Sequence, residues 1–380
     1  MTALIYADNN ATTAVAPEVV EAMCDGLRHR YGNPSSKHRI GDDARAAVMT
    51  ARNDVAGLLG ANPAEIIMTS GATESNHLAI MGALARDSTR KHVVVSAVEH
   101  PSTLMLLARL QQQGVEVTVL PVDVQGMPDL DRLKDVVCSQ TALVSMMWVN
   151  NETGVIMPIQ AAADIAAAQG ALFHTDAVQA VGRLTVNVRE QTVDMLSFSG
   201  HKLHAAKGIG VLWVRKGVAL PWLIAGHQER GRRGGTENVT SIMGLGVACR
   251  LAATGHVENN AHVRQLRDML ESTITQHIDT AVVNSALAPR VGNTSNIRFN
   301  GIEAELIIGK LDKAGICVSS GAACTAGGTE SSHVLRAMGQ TEEEALSAVR
   351  FSFSRDNSVA DVQQIVLAVS EIVQRQARAA

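Results

Sequence analysis

Short apolar runs alternate with amphipathic stretches between about residues 60 and 215. Helical patterns such as "TLMLLARLQQQG" and "IQAAADIAAAQG" separate most of the apolar runs. Apolar runs rich in Val and Ile, joined by helices, are typical of a mostly parallel sheet that is covered on both faces. We therefore predict an α/β fold on a mainly parallel, seven-stranded sheet. The candidate strands are "EIIMTS", "HVVVSAV", "VEVTVL", "ALVSMMWV", "ALFHTDA", "DMLSFS" and "IGVLWVR".

The alternation ends near residue 256. A helix, "VRQLRDMLESTITQHI", leads into shorter strands and helices, and the chain closes on another helix. Ser358, followed three residues later by Asp361, is typical of the N-terminal cap of that last helix. We predict a large α/β domain over 15–255 and a smaller α+β domain from 1–14 and 256–380. One apolar stripe of the last helix contains Val359, Val362, Val366, Val369 and Val373.

Composition narrows the class of protein. The 380 residues include 46% hydrophobic and 18% charged residues, an ordinary globular composition, and the net charge is -4. This charge does not favour a nucleic-acid partner. No apolar run approaches the ~18 residues that a membrane span requires, and the first residues lack the pattern of a signal peptide. We expect a cytoplasmic protein without a membrane partner.

The five cysteines are scattered and odd in number, so we do not expect a disulfide framework. No Cys-x-x-Cys occurs, so we predict no resident metal and allow iron or a cluster at Cys324 only transiently. Cys24, Cys138, Cys249 and Cys317 lie in apolar or periodic stretches and are expected in the core. Cys324 differs, because its neighbours in "SSGAACTAGGT" are small residues that bend easily. We interpret it as a thiol on a mobile arm.

Polar residues follow the ends of five predicted strands: Thr73, His100, Asn151, Asp176 and Lys202 each stand at or just beyond one. In open α/β sheets, ligands bind outside the carboxyl ends of the strands. The repeated placement therefore predicts that these side chains line one crevice.

Each candidate group also has an ordinary interpretation. The turn "SGATES" favours a phosphate at a helix N-terminus, but it is equally consistent with a plain helix cap. Asp176 could hold a protonated ring nitrogen or simply cap a turn, and Lys202 could be a Schiff-base amine or a solvated loop lysine. His100 could stack on a ring or be structural, and Arg350 could bind a carboxylate or lie on the surface. Together, the phosphate turn, acid, amine and histidine match the requirements of pyridoxal phosphate.

These residues belong to ordered motifs that closely resemble the NifS-type cysteine desulfurases. That family has the aspartate-aminotransferase-like fold, fold type I, of the class V pyridoxal-phosphate enzymes. The resemblance covers nearly the whole chain. It includes "YADNNATT" at 6–13, "SGATESN" at 70–76, "VEHP" at 98–101, "NNETG" at 150–154, "HTDAVQAVG" at 174–182, "SFSGHKLHAAKGIG" at 197–210, "GHQERGRRGGTEN" at 226–238 and "SSGAACTAG" at 319–327.

The resemblance implies a role for each matching residue. Lys202 would form the Schiff base, His100 would stack on the ring, and Cys324 would accept the sulfur. Asn151 and Arg350 would bind the substrate carboxylate, and Thr236 would reach the phosphate of the other subunit of a homodimer. The implied cofactor-binding residues are Ala72, Thr73, Asn151, Asp176, Gln179, Ser199, Gly200, His201, Lys202 and Thr236.

The implied reaction converts L-cysteine to L-alanine and leaves a persulfide on Cys324. The sulfur would then pass to an iron–sulfur scaffold protein, in a nitrogenase-related role. A selenocysteine lyase, or another class V enzyme, is the alternative within the fold. A non-catalytic metal scaffold is the alternative outside it, although dispersed cysteines do not favour it. The chain departs from the family at Ala206 and Ser331, where proline is common, and at Ala322, where serine is frequent.

Overall fold

A computed structural model describes residues 4–321 and 331–378. Its largest sheet has seven strands in the order β2 (Ile66–Thr69), β8 (Gly210–Val214), β7 (Met195–Ser199), β6 (Leu172–Asp176), β5 (Thr141–Ser145), β3 (His92–Ser96) and β4 (Glu116–Leu120). Strand β8 runs antiparallel to both of its neighbours, and the other neighbouring strands are parallel. All seven predicted strands are confirmed. The further strands are β1 (Ile5–Tyr6), β9 (Ala281–Val283), β10 (Thr294–Phe299), β11 (Ile316–Cys317) and β12 (Ala348–Ser352).

Helices connect most of these strands, and several begin or end at residues that the sequence favours. Ser358 and Asp361 form the predicted capping box of the last helix. Gly60 ends the second helix at φ 66°, a left-handed conformation that glycine adopts without strain. The helices are α1 (Pro17–His29), α2 (Arg39–Leu59), α3 (Ala72–Arg86), α4 (Pro101–Gln111), α5 (Leu130–Val136), α6 (Ile159–Ala168), α7 (Gln228–Gly231), α8 (Val239–Thr254), α9 (His256–His277), α10 (Ala304–Lys313), α11 (His333–Ala337), α12 (Glu342–Leu346) and α13 (Val359–Ala377).

Apolar layers cover both faces of the seven-stranded sheet. On β3, Val94 packs into a cluster with α2, α6 and α8, whereas Val93 and Val95 pack into a second cluster with α3 and α4. Because successive side chains of a strand point to opposite faces, a strand covered on both sides is apolar throughout. This burial explains the continuous apolar runs from which the strands were predicted.

A third apolar cluster surrounds a three-stranded antiparallel sheet in the order β12-β10-β9. It contains Leu266 of α9, Ile307 of α10 and Val369 of α13. The N-terminal strand β1 joins this region, because it pairs with β11 and Ile5 packs into the same cluster. The domain boundaries drawn from the sequence stay a prediction.

Three of the four cysteines expected in the core are not buried. Cys138 is exposed, because it stands in the connection between α5 and β5, where the preceding Val137 takes the buried position. Cys24 on α1 and Cys317 on β11 are only half-buried, whereas Cys249 is buried as expected. Val359 is 40% exposed at the first turn of α13, so the buried stripe of that helix begins at Val362. Throughout the described ranges, each helix is too short or too polar to cross a membrane.

Candidate active site

A cavity of about 480 Å³ lies at the carboxyl ends of the central strands. It brings together side chains from β6, β7 and β12 with the first residues of α3 and α4, which are far apart in the sequence. The predicted site residues that line it are Ala72, Thr73, His100, Asn151, Asp176, Gln179, Ser199, His201, Lys202 and Arg350.

Two predicted residues that the structure describes do not line this cavity. Gly200 packs instead against Ile209, whose Cγ2 would lie 2.9 Å from a Cβ at position 200. Thr236 is exposed, on the segment between α7 and α8. Cys324 lies outside the described residues. The roles of Thr236 and Cys324 therefore stay predictions.

The N-terminus of α3 forms one end of the cavity. Gly71 stands at the N-cap of this helix and has no side chain with which to cap the N–H groups of the first turn. The nearest described atom to the place of a Cβ on Gly71 is Ser199 Oγ, 4.0 Å away, so the cradle is open. Behind it, a Cβ on Gly210 would lie 2.6 Å from the backbone of Gly71, which explains why a glycine stands there. An open helix N-terminus with a nearby hydroxyl suits a phosphate group.

Asp176 lies in the interior of the cavity, at the end of β6, and is 6% exposed. Its Oδ2 accepts a hydrogen bond of 2.7 Å from Asn76 Nδ2, and its Oδ1 accepts one of 3.0 Å from the backbone N–H of Val178. Two donors on the two oxygens hold the carboxylate in a fixed orientation, which suits a group that must pair with a cationic N–H.

Lys202 follows β7 on a single 3-10 turn, Gly200–Lys202. Its Nζ donates hydrogen bonds to the carbonyl oxygens of Asn10 and Ala11, the latter at 2.7 Å. The amine is therefore held at the wall of the cavity by the N-terminal segment.

His100 caps α4, and its Nδ1 accepts a hydrogen bond of 3.1 Å from the backbone N–H of Ser102. Burial lowers the pKa of His100, and nearby Lys202 lowers it further, although Asp176 acts in the opposite direction. A depressed pKa favours the neutral imidazole at neutral pH, which can stack on an aromatic ring without bringing in a charge.

His201 precedes Lys202 on the same 3-10 turn, and its Nδ1 lies 3.1 Å from Thr12 Oγ1. Burial, with the neighbouring charges of Lys202 and Lys207, lowers the pKa of His201 to about 4. It is therefore uncharged at neutral pH, so it can contribute a hydrogen bond to a bound anion but no positive charge.

Arg350, on β12, has a side chain that is only 3% exposed. Its Nη1 donates to the carbonyl oxygen of Asn151 at 3.1 Å, and its Nη2 donates to Asp8 Oδ1 at 2.7 Å. Its Nε is buried and has no hydrogen-bond partner in the described part of the chain. The guanidinium of an arginine that lines a cavity is suited to a carboxylate.

Comparison with known proteins agrees with this geometry. Residues 5–365 match the family model of the class V aminotransferases. The chain is similar to the cysteine desulfurase of Gluconacetobacter diazotrophicus, with 49% identity over 95% of this chain and 91% of that protein. It is 45% identical to the cysteine desulfurase NifS of Azotobacter vinelandii, over 97% of this chain and 92% of that one. A solved NifS-like protein superposes with a TM-score of 0.91 at 34% identity, over 98% and 100% of the two chains.

The chain belongs to the class V aminotransferase family. It is a pyridoxal-phosphate-dependent enzyme, as the motifs predicted, and its fold is the one that the resemblance implied.

The cavity of this class V enzyme fits pyridoxal phosphate. Its volume lies within the usual range of about 300–1,000 Å³ for small-molecule sites. Three lining side chains each keep a buried polar atom without a partner among the residues described: Asn76 Oδ1, Gln179 Oε1 and Arg350 Nε. Buried polar atoms are normally satisfied, so these atoms and the open cradle at Gly71 indicate space for a polar ligand. Gln179 Nε2 already donates to Asn10 at 3.2 Å, which leaves one N–H of its amide for the ring hydroxyl.

Sequence analysis assigned no role to two residues of the site. Asn76 orients Asp176, and it stands three residues after Thr73, which is the spacing of one helical face. Asn10 contacts Lys202 and Gln179 through its backbone oxygen. The spacing within "SGATESN" could have drawn attention to Asn76, but a backbone oxygen carries no sequence signal. Among residues 4–321 and 331–378, no three His, Cys, Asp or Glu side chains are grouped as metal ligands would be.

Proposed function

We propose that this class V enzyme is a cysteine desulfurase, which converts L-cysteine to L-alanine and forms a persulfide on Cys324. The main support is the single cavity in which Lys202, Asp176 and Arg350 surround the space beside the N-terminus of α3. The cysteine desulfurases that align with almost the entire chain support the same activity.

Each residue of the cavity would have a distinct task. The backbone N–H groups of α3, with Thr73, Ser199 and His201, would bind the phosphate. Asp176 would hold the proton of the ring nitrogen, and His100 would cover one face of the ring. Lys202 Nζ would anchor the cofactor and then move a proton at the substrate Cα.

When bound, the cofactor supplies an electron sink that weakens the Cα–H bond and then the Cβ–S bond of the substrate. The protein must hold that substrate in one orientation. Arg350 Nε, with the remaining N–H groups of the same guanidinium, would bind the substrate carboxylate. Asn151, whose carbonyl oxygen accepts a hydrogen bond from Arg350, would lie beside that carboxylate. This arrangement would fix the Cα–H bond near Lys202.

The resemblance assigns the sulfur-accepting role to Cys324. Its thiolate would attack the substrate sulfur, so that an S–S bond forms while the C–S bond breaks. The released electron pair would be taken up at carbon with a proton, which yields L-alanine. We further propose that the persulfide sulfur passes to an iron–sulfur scaffold protein, in a nitrogenase-related role in the cytoplasm. The relative named NifS supports that role.

We also propose that the enzyme works as a homodimer of chains that each comprise the domains 15–255 and 1–14 with 256–380. Thr236 would contact the phosphate in the partner's cavity. Its exposure outside the cavity of its own chain supports this assignment.

Incubation of the purified holoenzyme with L-cysteine tests the proposal. We expect equal amounts of L-alanine and transferred sulfur, and a mass increase of one sulfur atom on the peptide that contains Cys324. Cys324→Ser should keep the absorbance of the bound cofactor but form no persulfide, and Lys202→Ala should form no alanine. If the Cys324→Ser variant released alanine at the wild-type rate, the role of Cys324 would be refuted. Preference for selenocysteine over cysteine, independent of Cys324, would favour a selenocysteine lyase.

A further inference from the structure

Asp8 lies behind Arg350 and does not itself line the cavity. Its backbone forms a bridge with Ser352, two residues along β12 from Arg350. Its Oδ1 accepts the hydrogen bond of 2.7 Å from Arg350 Nη2. The Asp8 side chain is 17% exposed, compared with 3% for Arg350. Asp8 is therefore connected to the cavity through the arginine to which it is hydrogen-bonded.

The hydrogen bonds of Arg350 show which donors remain for a ligand. A guanidinium group has five N–H donors in a rigid plane. Asn151 and Asp8 each take one donor, from the two terminal nitrogens. Contacts at both terminal nitrogens prevent the plane from rotating. Nε and the other donors are then left for a second, bidentate partner.

Asp8 also compensates the buried charge. It is the only carboxylate within 4 Å of the Arg350 guanidinium in the described part of the chain. Arg350 lowers the pKa of Arg183 and of Glu152, so both lie within its electrostatic reach. Without Asp8, the buried guanidinium would retain a like-charged neighbour and lose its hydrogen-bonded counter-ion, which favours a change of side-chain conformation.

We propose that Asp8 is a positioning residue for substrate recognition: it holds the Arg350 guanidinium so that its remaining N–H groups receive the α-carboxylate. The inference rests on the proposed function, because the carboxylate is that of L-cysteine or of its product L-alanine. It predicts that Asp8 affects ligands that have a carboxylate and leaves other amines unaffected.

The test uses the holoenzyme and two amines that differ only in the carboxylate. L-Alanine and ethylamine are each titrated against the absorbance of the bound cofactor. Asp8→Ala should weaken the binding of L-alanine about tenfold, which is the effect of a lost charge-assisted hydrogen bond. It should change the affinity for ethylamine by no more than about twofold. Asp8→Asn keeps an oxygen that can accept from Nη2 but loses the negative charge, so it should recover only part of the L-alanine affinity. The KM for L-cysteine should follow the same order, with kcat changed less than KM.

Asp54→Ala is a matched control. Asp54 is also 17% exposed and also pairs with an arginine, Arg250, but it lies on α2 away from the cavity. Asp54→Ala should leave the affinities for both amines unchanged. Cofactor content and thermal unfolding show whether each variant keeps its fold. If Asp8→Ala unfolds, Asp8→Ser serves as a second variant, because the serine side chain is too short to reach Nη2.

Three results would overturn the inference. The first is an unchanged affinity for L-alanine in Asp8→Ala. The second is an equal loss of affinity for L-alanine and ethylamine in that variant. The third is an equal loss of L-alanine affinity in Asp8→Ala and Asp8→Asn. A wild-type holoenzyme that produces no alanine from L-cysteine would instead contradict the proposed function. The two failures are thus distinguishable.

Discussion

The buried ion pair between Arg52 and Glu229 makes a quantitative prediction about stability. The two side chains are 6% and 2% exposed and are joined by two hydrogen bonds of 2.7 Å. Glu229 Oε2 also accepts from the backbone N–H of Met68 at 3.2 Å, and Arg52 donates to the carbonyl oxygen of Ile66 at 2.7 Å. Glu229→Ala therefore leaves a buried guanidinium without its counter-ion.

Removing one partner of a buried pair costs about 3–5 kcal/mol. The entropy of unfolding is about 2.1 cal/mol/K per residue, so in a chain of this length 1 kcal/mol lowers Tm by about 1.3 °C. We therefore expect Glu229→Ala to lower Tm by about 4–6 °C. Replacing both partners with apolar residues, as Arg52→Met with Glu229→Leu, removes the stranded charge and should recover at least half of that loss.

Differential scanning calorimetry of the holoenzyme measures these shifts. Asp131→Ala is the control, since its ion pair with Lys134 is almost fully exposed and should change Tm by less than about 1 °C. A Glu229→Ala shift as small as that of the control would refute the reasoning, as would a double variant that is less stable than Glu229→Ala. Glu229 lies on α7, which leads into the segment that carries Thr236, so the single variant should also retain the cofactor less well if the homodimer forms as proposed.

Substitutions at three further residues test other parts of the account. Burial lowers the pKa of His174 to about 3, below its unfolded value near 6.5, so the protein should lose stability as pH falls below 6.5. In urea unfolding, His174→Gln should reduce the slope of unfolding free energy against pH by about 1.4 kcal/mol per pH unit. Parallel pH profiles for the wild type and the variant would be contrary evidence. Burial raises the pKa of Glu152, whose carboxyl group accepts a hydrogen bond from Ser332. The neutral variant Glu152→Gln should therefore lose roughly 2 kcal/mol less unfolding free energy than Glu152→Ala. Equal losses of unfolding free energy in the two variants would disprove this. Asn76→Ala should raise the dissociation constant of the cofactor about tenfold in equilibrium dialysis, since Asp176 loses a donor; an unchanged constant would argue against that role.

The position of the site could be predicted because it follows from local patterns. The apolar run around Val94 marks a strand that is buried on both faces, and the residues after such strands meet at one edge of the sheet. Asp176 and Lys202 were placed in the cavity by this argument, and the structure places both there.

The interactions that orient the site could not be predicted in this way. Asp8 and Arg350 are 342 residues apart, and Asn76 and Asp176 are 100 residues apart, so no local periodicity links the partners. The burial of Cys138 was predicted wrongly for a related reason. The apolar "DVVC" continues a helical pattern, but α5 ends at Val136, before the cysteine. Where a helix ends depends on the packing around it, which sequence alone does not contain.

Mass spectrometry of the holoenzyme after a single turnover with L-cysteine labelled with ³⁴S tests the central claim most directly. The account predicts one ³⁴S atom on the peptide that contains Cys324 for each molecule of L-alanine formed, and no label on Cys24, Cys138, Cys249 or Cys317. Alanine formed with the label absent from Cys324, or spread equally over the other cysteines, would contradict it.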